Sequence, residues 1–246
     1  MSIKIRKLIS LLFTFLLLLG SGSAQAADCT ISNYSTDSTI STACDGLNLT
    51  QDYGHTLTVD ANVTDTTYAI PMYSYYIKDI VLNSGKTVNG TSGYPLRYSN
   101  GSSNSANFNS LTNNGSILSG GYAIMFDNNQ GSGVTALGTL TNNGSVTSSF
   151  ATILLDTTNT SIDNLINTGT ITSQNSHPTV LLAASGSVVT NFTNTGTLAG
   201  NSGTGIDFEN SGTVTNFSNK QGKSTTNPLK YEGTLPTNTK KRIPNG

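Results

Sequence analysis

Asp127 and Asp156 are the residues of this chain whose type and spacing could support chemistry. They close the apolar stretches Tyr122-Ala123-Ile124-Met125-Phe126 and Thr152-Ile153-Leu154-Leu155, which align as equivalent parts of consecutive repeats. The alignment puts both carboxylates in one outward column of adjacent coils, with Ala183 next in the column and Glu209 after it; Asp207 lies on the same outer face. Carboxylates stacked one strand spacing apart can share a proton, act as acid and base on a glycosidic bond, or hold Ca²⁺. No Arg, Lys or His recurs beside them to complete a site. The preferred reading is therefore solvated acids that keep an exposed sheet soluble and discourage edge pairing. Asp127 and Asp156 stay as the candidate residues of an alternative, a β-helix glycoside hydrolase. His55 and His177 occupy non-equivalent repeat positions without acidic neighbours in sequence, and no Gly-x-Ser-x-Gly elbow follows an apolar strand. No catalytic residue, cofactor or metal is expected.

Charge narrows the partners. Lys4, Arg6 and Lys7 belong to a leader, and the remaining chain holds nine basic against thirteen acidic residues, a net charge of about −4. Between Arg97 and Lys220 there is no Lys or Arg. A nucleic-acid binder needs cations to displace phosphate counterions, so nucleic acid is excluded as a main partner. An acidic-sugar lyase, which must neutralise its substrate's carboxylate, is disfavoured for the same reason.

The leader spans residues 1–27: a basic start, the apolar run Leu8–Leu19 and an A-x-A cleavage pattern at Ala24-Gln25-Ala26. The run is too short to cross a bilayer. The mature protein is expected to leave the cytoplasm with no transmembrane segment. Cys29 and Cys44 are the only cysteines, and in an exported chain they read as one disulfide stapling an N-terminal cap, residues 28–46.

The element that must position everything else is a repeat. LTNNGSI (Leu111 to Ile117), LTNNGSV (Leu140 to Val146), LINTGTI (Leu165 to Ile171) and FTNTGTL (Phe192 to Leu198) rewrite one pattern, with a degenerate copy at Val81 to Val88. Gly85, Gly115, Gly144, Gly169 and Gly196 recur at intervals of 30, 29, 25 and 27 residues. Three short strands and three bends fit that period, which makes an all-β fold: a single-stranded, right-handed parallel β-helix of about seven coils over residues 47–235, followed by a disordered tail, 236–246. Strand alternation predicts two inward columns, Ile70, Leu96, Ile124, Ile153, Val180, Ile206 and Met72, Tyr98, Phe126, Leu155, Leu182, Phe208. Met125, Leu154 and Leu181 form an outward apolar stripe, either a partner surface or a patch under a loop.

Asn83, Asn113, Asn142, Asn167, Asn194 and Asn219 form a column at the bend. Asn tolerates left-handed backbone and bonds backbone across bends, and stacked copies can bond one another as a ladder. Its recurrence marks scaffold rather than glycan contact, and the N-x-S/T matches at Asn143 and Asn191 follow from composition. The glycine after it, Gly115, Gly144, Gly169 or Gly196, is expected to supply positive φ. An ice-binding Thr array is not preferred, because Ser116 and Ser145 interrupt the column that holds Thr170 and Thr197.

The repeats NFTNTGTLAGNSGTGIDFEN and LTNNGSILSGGYAIMFDN resemble those of autotransporter passenger domains. That resemblance covers roughly residues 47–235. It implies export from a Gram-negative cytoplasm to the periplasm, the cell surface or the medium, and a role in adhesion or self-association, with a surface glycan, a protein or a second copy as partner. The family also carries a translocator barrel. The residues after Tyr231 are too few for one, and Lys240-Lys241-Arg242 breaks the preceding composition, so the chain reads as a truncated passenger, with a complete small secreted β-helix as the rival.

Overall fold

A computed structural model describes residues 27–31, 35–49, 53–72, 77–99, 106–127, 134–200, 206–208, 212–219 and 229–231. The leader up to residue 26, Glu209 and the tail after residue 235 lie outside the described residues. The chain is a parallel β-solenoid with three sheets of eight, six and seven strands. Each coil contributes one strand to each sheet: in one coil these are Ala106–Asn113, Ser116–Ser119 and Ile124–Asp127. Among the described residues six coils have all three strands, from Tyr53–Val59 to Ile206–Phe208, so the chain makes five full turns between its first and last complete coil. That is fewer than the seven coils expected, because the outermost copies supply only part of a coil. No helix is present among the described residues.

Pairing is parallel, and between complete coils it is one-to-one from Ala106 onward: Leu111 stands on Leu140, Leu140 on Leu165, Leu165 on Phe192 and Phe192 on Phe217. Because side chains alternate along a strand, this register stacks like on like and fills the interior with unbroken columns. Ile70, Leu96, Ile124, Ile153, Val180 and Ile206 are all buried, as are Met72, Tyr98, Phe126, Leu155 and Leu182. Both inward columns therefore stand as expected over these residues; the side chain of Phe208 lies outside what the structure describes. Tyr98 stacks on Phe126 at 4.7 Å and meets the edge of Phe108 at 4.7 Å. Each fully buried aliphatic or aromatic side chain contributes about 1.5–3 kcal/mol, and the contribution is made against the neighbouring coil, so no coil is stable alone.

The strand that precedes the Asn-Gly bend is the longest of the three; Thr135–Asn142 and Thr160–Asn167 each have eight residues. The cap is an incomplete extension of the same stack. Cys29–Thr30 pairs in parallel with Leu47–Asn48, and Ser38–Ile40 adds to the eight-stranded sheet beside Tyr53–Val59. The Cys29–Cys44 disulfide is present and closes this segment.

The glycines correct the sequence reading. Gly115, Gly144, Gly169 and Gly196 do not have positive φ; of the marker glycines only Gly85 does, at 74°. The four are required by close approach. A Cβ on Gly144 would stand 2.0 Å from the carbonyl oxygen of Gly115, and Gly169 and Gly196 meet the preceding glycine at the same distance. The bends thus stack backbone on backbone, with no room for a side chain. Gly144→Ala is expected to destabilise the protein by about 1–3 kcal/mol or more, since neither carbonyl can retreat without parting two coils. Gly54→Ala, where a Cβ meets nothing within 4 Å, is expected to stay within about 0.5 kcal/mol of the parent. Urea unfolding followed by far-ultraviolet circular dichroism distinguishes the two, and equal, small effects would contradict the stacked-bend explanation.

Candidate functional site

The Asn column points into the solenoid. Asn113, Asn142 and Asn167 have no exposed surface and Asn194 has 2%. Each carboxamide donates to the oxygen of the next: Asn113 to Asn142, Asn142 to Asn167 and Asn167 to Asn194 at 2.7 Å, and Asn194 to Asn219 at 2.8 Å. The first three also donate to the carbonyls of Ser145, Thr170 and Thr197 on the following coil. A buried amide without partners would cost several kcal/mol; here the ladder supplies them. The column is therefore closed to glycans. Left-handed backbone plays no part in it, since Asn159 is the one non-glycine residue with positive φ among the described residues. Asn83 is a correction: Leu82 pairs with Asn113 and occupies the column, which leaves Asn83 one position further on, donating to Asp60 at 3.2 Å. The degenerate copy, whose loop is two residues longer, hid this offset.

A second amide ladder runs outside. Asn191 donates to Asn164 at 3.0 Å and Asn216 to Asn191 at 2.9 Å. These residues continue a column through Ser110 and Thr139, beside a second outward column of Thr112, Thr141, Ile166, Thr193 and Ser218. On the six-stranded sheet, Thr87, Ser116, Ser145, Thr170 and Thr197 stand in one half-buried column, and Ser145 donates to Ser116 at 3.0 Å.

Asp127 and Asp156 sit at adjacent coils, as the alignment places them, but their surroundings differ from the expectation. Asp127 is 3% exposed and belongs to an ion pair with Arg97. The Nε and Nη2 groups of Arg97 both donate to Asp127 Oδ2, at 2.8 and 2.6 Å, and its Nη1 donates to the Tyr68 hydroxyl at 2.9 Å. The guanidinium also lies 5.5 Å from the Tyr68 ring centroid. Asp127 Oδ1 has no hydrogen-bond partner among the described residues. The absence of a recurring cation misled the sequence reading. Arg97 occurs once, but its strand aligns with that of Asp127, pairing Arg97 with Met125 and Ser99 with Asp127, and this diagonal was available in the repeat. Burial lowers the Arg97 pKa; the hydrogen bond and charge of Asp127, with Tyr68 adding to them, outweigh that and hold it above its ordinary value. Breaking one side of a buried pair typically costs about 3–5 kcal/mol, which gives this pair a structural role.

Asp156 is exposed, yet its crowded surroundings and then the charge of Asp127 raise its pKa, against the opposing pull of Arg97. Ala183 follows in the stack, donating its N–H to the Leu155 carbonyl, and Asp207 pairs with Leu181 on the outer face. Met125 and Leu154 are 8% and 2% exposed, so the outward apolar stripe is largely withdrawn from solvent. His55 lies 4.0 Å from Asp37, an acid remote in sequence. Among the described residues no group of three His, Cys, Asp or Glu side chains is arranged to hold a metal ion, and no helix is long and apolar enough to cross a membrane.

One feature escaped the sequence reading. Tyr68, Tyr94, Tyr122, Phe150 and His177 form an aromatic ladder along the corner between the second and third sheets. Successive ring centroids are 6.0, 5.6, 5.5 and 5.0 Å apart. The three tyrosines precede their inward Ile70, Leu96 or Ile124 by two residues, whereas Phe150 and His177 precede Ile153 and Val180 by three. That one-residue shift and the change of residue type concealed the column. Comparison with protein-family models, with curated proteins and with solved structures returns no match to this chain.

The raised pKa of Asp156 has a definite sign. A carboxyl that holds its proton more tightly in the folded state stabilises the fold below the ordinary carboxylate range, at about pH 4, and loses that contribution as pH rises through the raised value. Asp156→Asn, which stays neutral, is expected to be more stable than the parent at pH 7, with the difference closing as pH falls below about 4. Thermal melting across that range measures it; a variant less stable at neutral pH would contradict the assignment.

Proposed function

We propose that this chain is an exported, non-catalytic β-solenoid of the autotransporter-passenger type that works by adhesion, chiefly self-association, at the cell surface. The observation that carries the reading is the nearly uncharged polar face that the last five strands of the eight-stranded sheet present. From Ala106–Asn113 through Thr213–Asn219 its five strands hold no cation, and Asp163 is their single charged residue. A neutral face lined by hydroxyls and carboxamides meets a second copy of itself without like-charge repulsion, and such groups act as both donors and acceptors. Five strands about 4.8 Å apart and roughly 26 Å long project on the order of 600 Å² per copy, the lower end of specific interfaces. The association is therefore weak for one pair and additive over many, as adhesion requires.

Export is supported by the leader pattern and by the Cys29–Cys44 disulfide, of a kind that persists outside a reducing cytosol. Hydrolysis through Asp127 and Asp156 has less support, because Asp127 is buried and engaged by Arg97. A glycan or protein receptor on the same face is the other partner the chemistry suits.

Sedimentation of the purified chain over a wide concentration range tests the reading. Reversible self-association is expected, and Thr141→Asp with Thr193→Asp, two carboxylates on outward half-buried positions, is expected to weaken it on the order of tenfold or more, with salt restoring part of the loss. A chain that stays monomeric, or Asp variants that associate unchanged, would overturn it.

A further inference from the structure

We propose that Tyr68, Tyr94 and Tyr122 are a site of oxidative modification, at which dityrosine bonds join neighbouring coils of the solenoid. Three consecutive coils place a phenol at the same corner. The Tyr68 and Tyr94 rings are 6.0 Å apart between centroids and tilted by 36°; those of Tyr94 and Tyr122 are 5.6 Å apart and tilted by 30°. All three are half-buried, so an oxidant reaches them while the coils hold them together. The strands on either side keep this proximity: Val63–Asp65, Thr87–Gly90 and Ser116–Ser119 pair before the corner, and Ile70–Met72, Leu96–Ser99 and Ile124–Asp127 pair after it. Phe150 and His177 continue the stack without a phenol, which confines coupling to the first three rungs.

The competing sinks for an oxidising equivalent are chiefly the other seven of the chain's ten tyrosines, which lack this stacked arrangement among the described residues. The sequence has no Trp, and both cysteines are committed to the disulfide. Tyr98, although close in sequence to Tyr94, is 1% exposed inside the core and is shielded from reaction.

The oxidant is a peroxide acting through a haem peroxidase. Each of two phenols gives up one electron and its hydroxyl proton, and the resulting phenoxyl radicals join through their ortho carbons. The two hydrogens displaced from those carbons restore the phenolic hydroxyls as the rings regain aromaticity. Two tyrosines and one hydrogen peroxide become one dityrosine and two waters, with two hydrogens lost from the protein. Because the rings are preassembled, coupling within a chain outruns coupling between chains. A link at this corner would fasten adjacent coils from outside, as the disulfide fastens the cap.

Treatment of the disulfide-intact chain with a haem peroxidase and hydrogen peroxide at low protein concentration tests this. Dityrosine fluorescence is expected with the chain still monomeric on a denaturing gel, and mass mapping is expected to find Tyr68–Tyr94 and Tyr94–Tyr122 linked peptides. Tyr94→Phe keeps the ring in the ladder but removes the phenol common to both links, and is expected to lower the intramolecular yield on the order of tenfold. Tyr122→Phe is expected to abolish one link and spare the other. Unchanged yield in Tyr94→Phe, links that join only separate molecules, or links mapping to other tyrosines would overturn the proposal.

Discussion

From Ala106 onward each strand residue of this solenoid stands on its own equivalent one coil away, and the rest of the structure follows from that constraint. A one-to-one parallel register turns any preference at one repeat position into a column. Apolar positions become the interior stacks beginning at Ile70 and Met72. Asn positions become a chain of amides from Asn113 to Asn219, buried as far as Asn194. Glycine positions become bends packed so closely that the Cβ of an alanine would meet a carbonyl at 2.0 Å. The Asn ladder and the glycine stack constrain each other, because bends that separated to admit a side chain would also lengthen the amide hydrogen bonds beside them.

The same constraint explains where reactive chemistry is and is not found. Most polar groups that recur are consumed by stacking, the inner amides on one another and Ser148, Thr152, Thr160 and Ser187 in buried hydroxyl contacts. Arg97 and Asp127 break the repeat and are neutralised together on neighbouring strands of the third sheet. Burial and, behind it, the charge of Asp79 push the Tyr98 hydroxyl pKa well above the ordinary value, so that phenol stays protonated within the core. What remains on the outer face of the eight-stranded sheet from Ala106 onward is, but for Asp163, neutral, hydroxyl-rich and amide-rich, which suits weak contacts repeated many times better than one strong site.

Much of this was legible in sequence because a repeat is read by comparing the chain with itself. The fold class, both inward columns and the disulfide followed from the spacing of Leu, Asn and Gly and from two cysteines. Four things did not. The role of Gly144 and its equivalents lies in the distance between coils, which no single repeat encodes, and positive φ was the local explanation at hand. Asn83 was aligned by its Asn-x-Gly context, although the register runs through Leu82. The pairing of Arg97 with Asp127 depends on a cation that does not recur, and the tyrosine corner belongs to a column that changes residue type and shifts by one position at Phe150 and His177; only their strand positions could have revealed them.

The central claim is that a buried amide ladder and the register it accompanies hold the coils together. Hydrogen exchange of side-chain carboxamides, read by nuclear magnetic resonance with Asn-specific labelling, addresses it most directly. The account predicts slow exchange for Asn113, Asn142, Asn167 and Asn194, which are buried and bonded coil to coil, and fast exchange for Asn143 and Asn216 at the surface. Fast exchange at all of these positions would contradict it.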